Sequence, residues 1–172
     1  MTQWLSKRIE SFADRACFVH NDQTFSYADL AREIERTQNQ LKLHGISAGD
    51  SVLLEADYSL ESVAALLALF NHKAIAAPAT ELSSAELASR IKEANLKWHL
   101  SLKSGSPEIM PTGERAAPHS IVTALQEIEH PGLNLFSSGS TGKPKAMVHD
   151  ADHLLQAFEK KRARNLSILI FL

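Results

Sequence analysis

The sequence reads as an α/β protein with a mostly parallel sheet and helices on its flanks. Short apolar runs at 51–55, 74–79 and 133–136 are separated by stretches of helical periodicity, the strand–helix–strand order of βαβ units. The 172 residues are 44% hydrophobic and 22% charged, close to globular averages, which excludes wholesale disorder and allows one sizeable core. Eighteen Lys+Arg against 20 Asp+Glu leave a net charge of −2, so no broad basic surface for nucleic acid is expected.

In chain order, Trp4, Leu5, Arg8, Ile9 and Phe12 fall at the spacing of a short amphipathic helix. Residues 17–20 and 24–27, split by Asn21-Asp22, read as a hairpin. Ser26 with Asp29 three places later resembles a capping box and opens a helix that buries Tyr27, Leu30, Ala31, Ile34 and Leu41 and stops at His44-Gly45. Ser51–Glu55 is a strand, 60–70 is apolar nearly all round and hence a buried helix, and Ala74–Ala79 is a second strand. Ser83 and Glu86 form another capping box, with Leu82 and Leu87 placed as a hydrophobic staple. The helix they open packs Leu87, Ile91 and Ala94. Residues 96–102 alternate imperfectly. From 103 to 120, Pro107, Pro111, Pro118, Gly105 and Gly113 read as an irregular loop within the same domain.

The two ends carry addressing information. The first 14 residues hold Lys7, Arg8, Glu10 and Asp14 and no apolar h-region, so they are not a signal peptide. The lone Cys17 has no internal disulfide partner, and a cytoplasmic setting follows as the expectation. The run Leu166–Leu172 is far short of the roughly 20 residues of a membrane span, so no membrane insertion is expected. It reads as a buried strand after a helix whose basic end is Lys160, Lys161, Arg162 and Arg164. Ending on such a strand suggests a fragment of a longer chain.

The chemistry lies at Leu133-Asn134-Leu135-Phe136-Ser137-Ser138-Gly139-Ser140-Thr141-Gly142-Lys143-Pro144-Lys145, where an apolar strand enters a run of small and flexible residues closed by two lysines. Glycines let backbone N–H groups approach an anion, hydroxyls donate to phosphate oxygens or ligate magnesium, and lysines add positive charge. It is not a Walker A loop: Ser137 stands where that pattern needs glycine, and Pro144 follows Lys143.

Ser137 to Lys145 resemble, without a gap, the signature loop of the adenylate-forming superfamily: acyl-CoA synthetases, nonribosomal-peptide adenylation domains and luciferases. Ala146 replaces that pattern's usual final glycine. Phe25–Leu30 is similar to the family's early helix-start motif, Gly49-Asp50-Ser51-Val52 to its strand entry, and 66–78 to its later helix and strand, with Lys73 where glycine is usual. The likeness runs from about 14 to 149.

The resemblance implies the N-terminal part of an adenylation domain over 1–172, with the C-terminal lid domain absent. It implies an enzyme that activates a small-molecule carboxylic acid with ATP and Mg2+ as an acyl-adenylate, releasing pyrophosphate. The acyl group then passes to a thiol of CoA or of a carrier protein's phosphopantetheine. By resemblance Ser137, Ser138, Gly139, Ser140, Thr141, Gly142, Lys143 and Lys145 hold the phosphates, Thr141 first among them and also placed for magnesium. His149 would help shape the nucleotide site. No catalytic residue is assigned, because the family's adenine, ribose and catalytic-lysine motifs have no counterpart before Leu172. A non-catalytic nucleotide- or pyrophosphate-binding module, or an inactive truncated copy, stays open as the alternative.

Two further clusters invite chemistry. His149-Asp150-Ala151-Asp152-His153 departs from H-E-x-x-H, and Asp150 reads as a helix N-cap that separates the two histidines structurally. Glu55 and Asp57, alternate residues at a strand end, are expected to be solvated.

Overall fold

The computed structural model describes residues 3–104, 107–113, 117–138, 144–162 and 168. Helix α1 (Gln3–Ser11) leads into an antiparallel hairpin, β1 (Ala16–His20) and β2 (Gln23–Ser26). Asn21 and Asp22 turn it with φ of 50° and 60°, the left-handed pair that a two-residue hairpin requires. Then follow α2 (Tyr27–Leu43), β3 (Ser51–Glu55), α3 (Leu60–Asn71), β4 (Ile75–Ala79), α4 (Ser84–Ala94) and β5 (Trp98–Ser101). After them come β6 (Glu108–Pro111), α5 (Ser120–Glu127), β7 (Gly132–Ser138), β8 (Pro144–Asp150) and α6 (Ala151–Glu159).

Six strands form one sheet in the order β6-β5-β3-β4-β7-β8. β5, β3, β4 and β7 run parallel; β6 and β8 are antiparallel edges. The 103–120 segment is therefore not irregular throughout, because Glu108–Pro111 pairs with β5 as an edge strand. Proline is accepted there because an edge strand need not donate on its outer side.

Alternation along β3 splits the core in two. Val52 and Leu54 face α1, α2 and α3, where Ile9, Leu30, Ile34, Leu41, Ala64, Ala68 and Leu69 are buried with them. Leu53 faces the other side with Ala77, Leu82 and Leu96, beneath Leu87, Ile91 and Ala94 of α4. Strands covered on both faces lose the simple polar–apolar alternation, which is why 96–102 reads imperfectly. The caps form as the spacing predicts: Ser26 with Asp29 and Ser83 with Glu86 are reciprocal capping boxes, and Ser59 with Ser62 is a third.

Lys73, where the family resemblance has glycine, adopts φ 58°, the left-handed conformation in which a side chain is strained. The turn it makes is needed, because its carbonyl accepts the N–H of Gly49 at 2.8 Å and brings the entries to β3 and β4 side by side. Its ammonium pairs with Glu129. Of the C-terminal run, only Ile168 is described, and it is exposed.

Candidate functional site

All four parallel strands end on one edge of the sheet, where open α/β sheets bind ligands. β7 and β8 leave that edge as a ribbon. β7 pairs with β4 through Ile75↔Gly132 and Ala76↔Leu133, whereas with β8 it is paired along its whole length, from Gly132↔Asp150 to Ser138↔Pro144. Gly132 permits the close approach to β4: a Cβ there would lie 2.9 Å from both Cγ atoms of Ile75. The Ser137–Lys145 signature stretch thus has its two stems fixed by the ribbon's last pairs.

Ser137 is half-buried and directly opposite exposed Lys145, so the two side chains share one face. The backbone of Ser138 pairs with Pro144. Gly139, Ser140, Thr141, Gly142 and Lys143 lie outside the described residues. His149 is exposed at the other end of β8, opposite Leu133. Four residues of strand, on the order of 13 Å, separate it from Lys145. β8 carries a period-two signal, with exposed Lys145, Met147 and His149 alternating with half-buried Ala146 and Val148. The alternation is the sequence signal by which this strand could have been found. On the opposite face, the Arg90 guanidinium of α4 lies 5.0 Å above the Phe136 ring, holding the strand that enters the loop.

The same edge holds a polar network that sequence reasoning missed. Glu55 is not solvated as expected: it is 3% exposed, whereas Asp57 beyond it is exposed. Glu55 Oε1 accepts the Leu82 N–H at 2.8 Å and Lys103 Nζ at 2.9 Å, and Oε2 lies 3.0 Å from His99 Nε2. A carboxylate only accepts, so His99 carries a proton on Nε2. Burial pushes the Glu55 carboxyl up, but the donors from Lys103, Leu82 and His99 outweigh it and hold the group below the ordinary carboxylate range. Lys103 is correspondingly pushed up, chiefly by its hydrogen bond to Glu55.

The His149–His153 segment behaves as its cap predicts. Asp150 starts α6, accepting the His153 N–H at 3.0 Å and pairing with His130 Nδ1 at 2.8 Å. Burial raises the Asp150 carboxyl, but the His153 N–H and His130 more than offset that and lower it. Among the described residues no group of three or more His, Cys, Asp or Glu side chains is placed to hold a metal ion. Nor, among them, is any helix long and apolar enough to cross a membrane. Cys17 donates its thiol to the Ser26 carbonyl at 3.2 Å, and burial pushes that thiol up, away from reactivity.

With this geometry in view, the decisive comparison is with the sequence profile of the AMP-binding enzymes, which matches residues 5–169. The chain belongs to the AMP-binding enzyme family. It is 28% identical over 169 residues to the 2-succinylbenzoate–CoA ligase of Bacillus licheniformis, covering 90% of this chain and 35% of that ligase. It is 26% identical over 168 residues to the 3-hydroxybenzoate–CoA ligase of an Aromatoleum species, covering 81% of this chain and 32% of the relative. Among solved structures, the N-terminal subdomain of Klebsiella oxytoca NpsA, in complex with 3-hydroxyanthranilyl-AMSN, matches at a TM-score of 0.66. There the identity is 21%, with 85% of this chain and 39% of the other covered. The O-succinylbenzoate coenzyme A synthetase of Bacillus subtilis, in complex with AMP, matches at 0.65 and 20% identity, covering 93% and 46%. The α/β fold with its mostly parallel sheet is therefore that of the AMP-binding enzymes. The chain spans about a third of the length of the ligases it matches.

Proposed function

We propose that this chain provides the phosphate-gripping part of an active site that joins ATP to a small-molecule carboxylic acid, giving an acyl-adenylate and pyrophosphate. The acyl group is then bound for a thiol, of CoA or of a carrier protein. One observation carries the reading. A stretch matching the family's signature loop leaves the C-terminal edge of a parallel sheet on an antiparallel ribbon, with Ser137 and Lys145 facing each other across its stems.

ATP supplies the activating phosphoanhydride, and the chain's task is charge. A carboxylate must approach a polyanion, so donors must spread the negative charge of the departing pyrophosphate. The stems suit that task. Lys145 is exposed, and among the described residues no carboxylate pairs with it, which leaves its ammonium for a phosphate oxygen. We assign Ser137, Ser138, Ser140 and Thr141 as hydroxyl donors and Gly139 and Gly142 as points of close backbone approach. We also assign Thr141, on the family resemblance, as the hydroxyl that would meet a magnesium ion arriving with ATP. Lys143 adds charge at the loop's exit. His149 would act from the far end of β8, on the nucleotide rather than the phosphates.

Isothermal titration of the chain with magnesium pyrophosphate and with magnesium ATP tests the grip. Heat is expected with both ligands, and at least tenfold weaker binding in Lys145→Ala. Absence of heat with either ligand in the folded wild-type chain would overturn the reading.

A further inference from the structure

β7 reaches the signature loop with little of the sheet beside it. It pairs with β4 only through Gly132 and Leu133, and from Asn134 to Ser138 its strand partner is β8, itself an edge strand. A two-stranded ribbon in water is marginal by itself, so stems built this way need support from outside the ladder. On the face turned away from α4, the opposed pair Leu135 and Met147 is exposed and gives the ribbon little hold. The hold comes from the α4 side. Phe136 packs on the buried cluster of Leu53, Ala77, Leu82 and Leu96, and the Arg90 guanidinium of α4 lies 5.0 Å from the centre of its ring. Ala146, directly opposite Phe136 on β8, offers only a methyl group beside that ring.

Arg90 is available for this contact. Glu86, one turn earlier, is engaged by the Ser83 N–H and hydroxyl at 2.9 and 2.6 Å, and among the described residues no carboxylate oxygen forms an ion pair with Arg90. The helix that carries it is tied to the sheet, because Glu55 Oε1 accepts the Leu82 N–H at 2.8 Å just ahead of the N-cap Ser83. We propose that Arg90 is a positioning residue for the phosphate grip: stacked on Phe136, it fixes the ribbon to α4 and so sets where the stems Ser137 and Lys145 stand. It acts through the ring, with no contact of its own to phosphate. This rests on the phosphate-gripping reading above. Ser137 follows Phe136 directly and Lys145 is opposite Ser137, so a shift of the ring moves both stems. Stems that wander must be ordered when the anion binds, and that ordering is subtracted from affinity.

The test pairs isothermal titration with magnesium pyrophosphate and amide NMR spectra of the labelled chain, for the wild type, Arg90→Met, Arg90→Lys, Phe136→Leu and Arg90→Met/Phe136→Leu. Arg90→Met is expected to bind about threefold more weakly, the worth of one exposed stacked cation. Arg90→Lys, which keeps a cation over the ring, recovers most of that loss. In the Phe136→Leu background, Arg90→Met costs nothing further, because the ring through which it acts is gone. Without ligand, the Ser137, Ser138 and Lys145 amide signals move in Arg90→Met while those of β3 and β5 stay. Equal affinity of Arg90→Met and the wild type would overturn the proposal. So would a loss that persists undiminished in Phe136→Leu, which would make Arg90 a charge acting on the phosphates directly. Should Phe136→Leu fail to fold, the amide spectra decide, and unmoved stem signals in Arg90→Met overturn the proposal. Those spectra need no ligand, so they still judge the positioning if the wild type binds no pyrophosphate, the result that overturns the phosphate reading instead.

Discussion

Glu55→Ala is expected to be among the most damaging single substitutions on this sheet, and the structure fixes the size of the loss. The carboxylate is 3% exposed and holds three donors: the buried Leu82 N–H, His99 Nε2 and Lys103 Nζ. Lys103, with a side chain 40% exposed, can turn to water when its partner goes. Leu82 and His99 cannot, and each buried donor left without an acceptor costs about 1–3 kcal/mol. Adding the space vacated by the side chain brings the loss to about 3–5 kcal/mol, the range for breaking a buried charged pair from one side. For a chain of this size that lowers Tm by about 10 °C. Urea unfolding followed by far-UV circular dichroism measures it, with His99→Leu and Glu55→Ala/His99→Leu completing a double-mutant cycle. The double variant should lose less than the sum of the two single ones, because once Glu55 is gone, removing the His99 ring takes away one of the two orphaned donors, leaving only the Leu82 N–H. A Glu55→Ala loss below about 1 kcal/mol, or a double variant as unstable as the sum of the singles, would show that the network carries no such weight.

Three further outcomes are expected. Lys73→Gly should stabilise the chain by about 1 kcal/mol, because glycine relieves the left-handed backbone at φ 58° and the ion pair given up with Glu129 is exposed. Thermal melts would show an unchanged or lower Tm if the turn were not strained. Stability should be flat above pH ~5 and fall as the pH drops below ~4, because Glu55 and Asp150 are held below their ordinary carboxyl range and must take up protons to unfold. Urea midpoints across pH 3–7, repeated in Glu55→Gln, read the slope, which should be shallower in the variant. Thr141→Ala should weaken magnesium pyrophosphate binding roughly tenfold or more, the value of one hydrogen bond to a charged oxygen, with an unchanged circular dichroism spectrum. Equal titration curves would remove Thr141 from the grip.

Much of the fold is legible because its signals are local. The hairpin at Asn21-Asp22, the caps at Ser26 and Ser83 and the staple of Leu82 with Leu87 are all satisfied within a few residues, so spacing alone announces them. The signature stretch is legible for the same reason: an anion-binding loop is made by consecutive residues. The edge strand β6 was hidden by its prolines, and β8 by following so closely on the loop. Glu55 was misread because strand alternation reports which face a residue takes, not whether a helix covers that face.

What the sequence determined by itself is the class of fold, helices α1 to α4 with the caps at Ser26 and Ser83, the start of α6 at Asp150, and the family-like loop between Ser137 and Lys145. All of these depend on interactions between near neighbours, whose geometry the backbone imposes. Only the tertiary structure decided the strand order β6-β5-β3-β4-β7-β8 and the burial of Glu55 against a histidine 44 residues away. Those features depend on which distant segments pack together. No spacing along the chain encodes that choice, because it is made by the burial of whole faces rather than by any one residue.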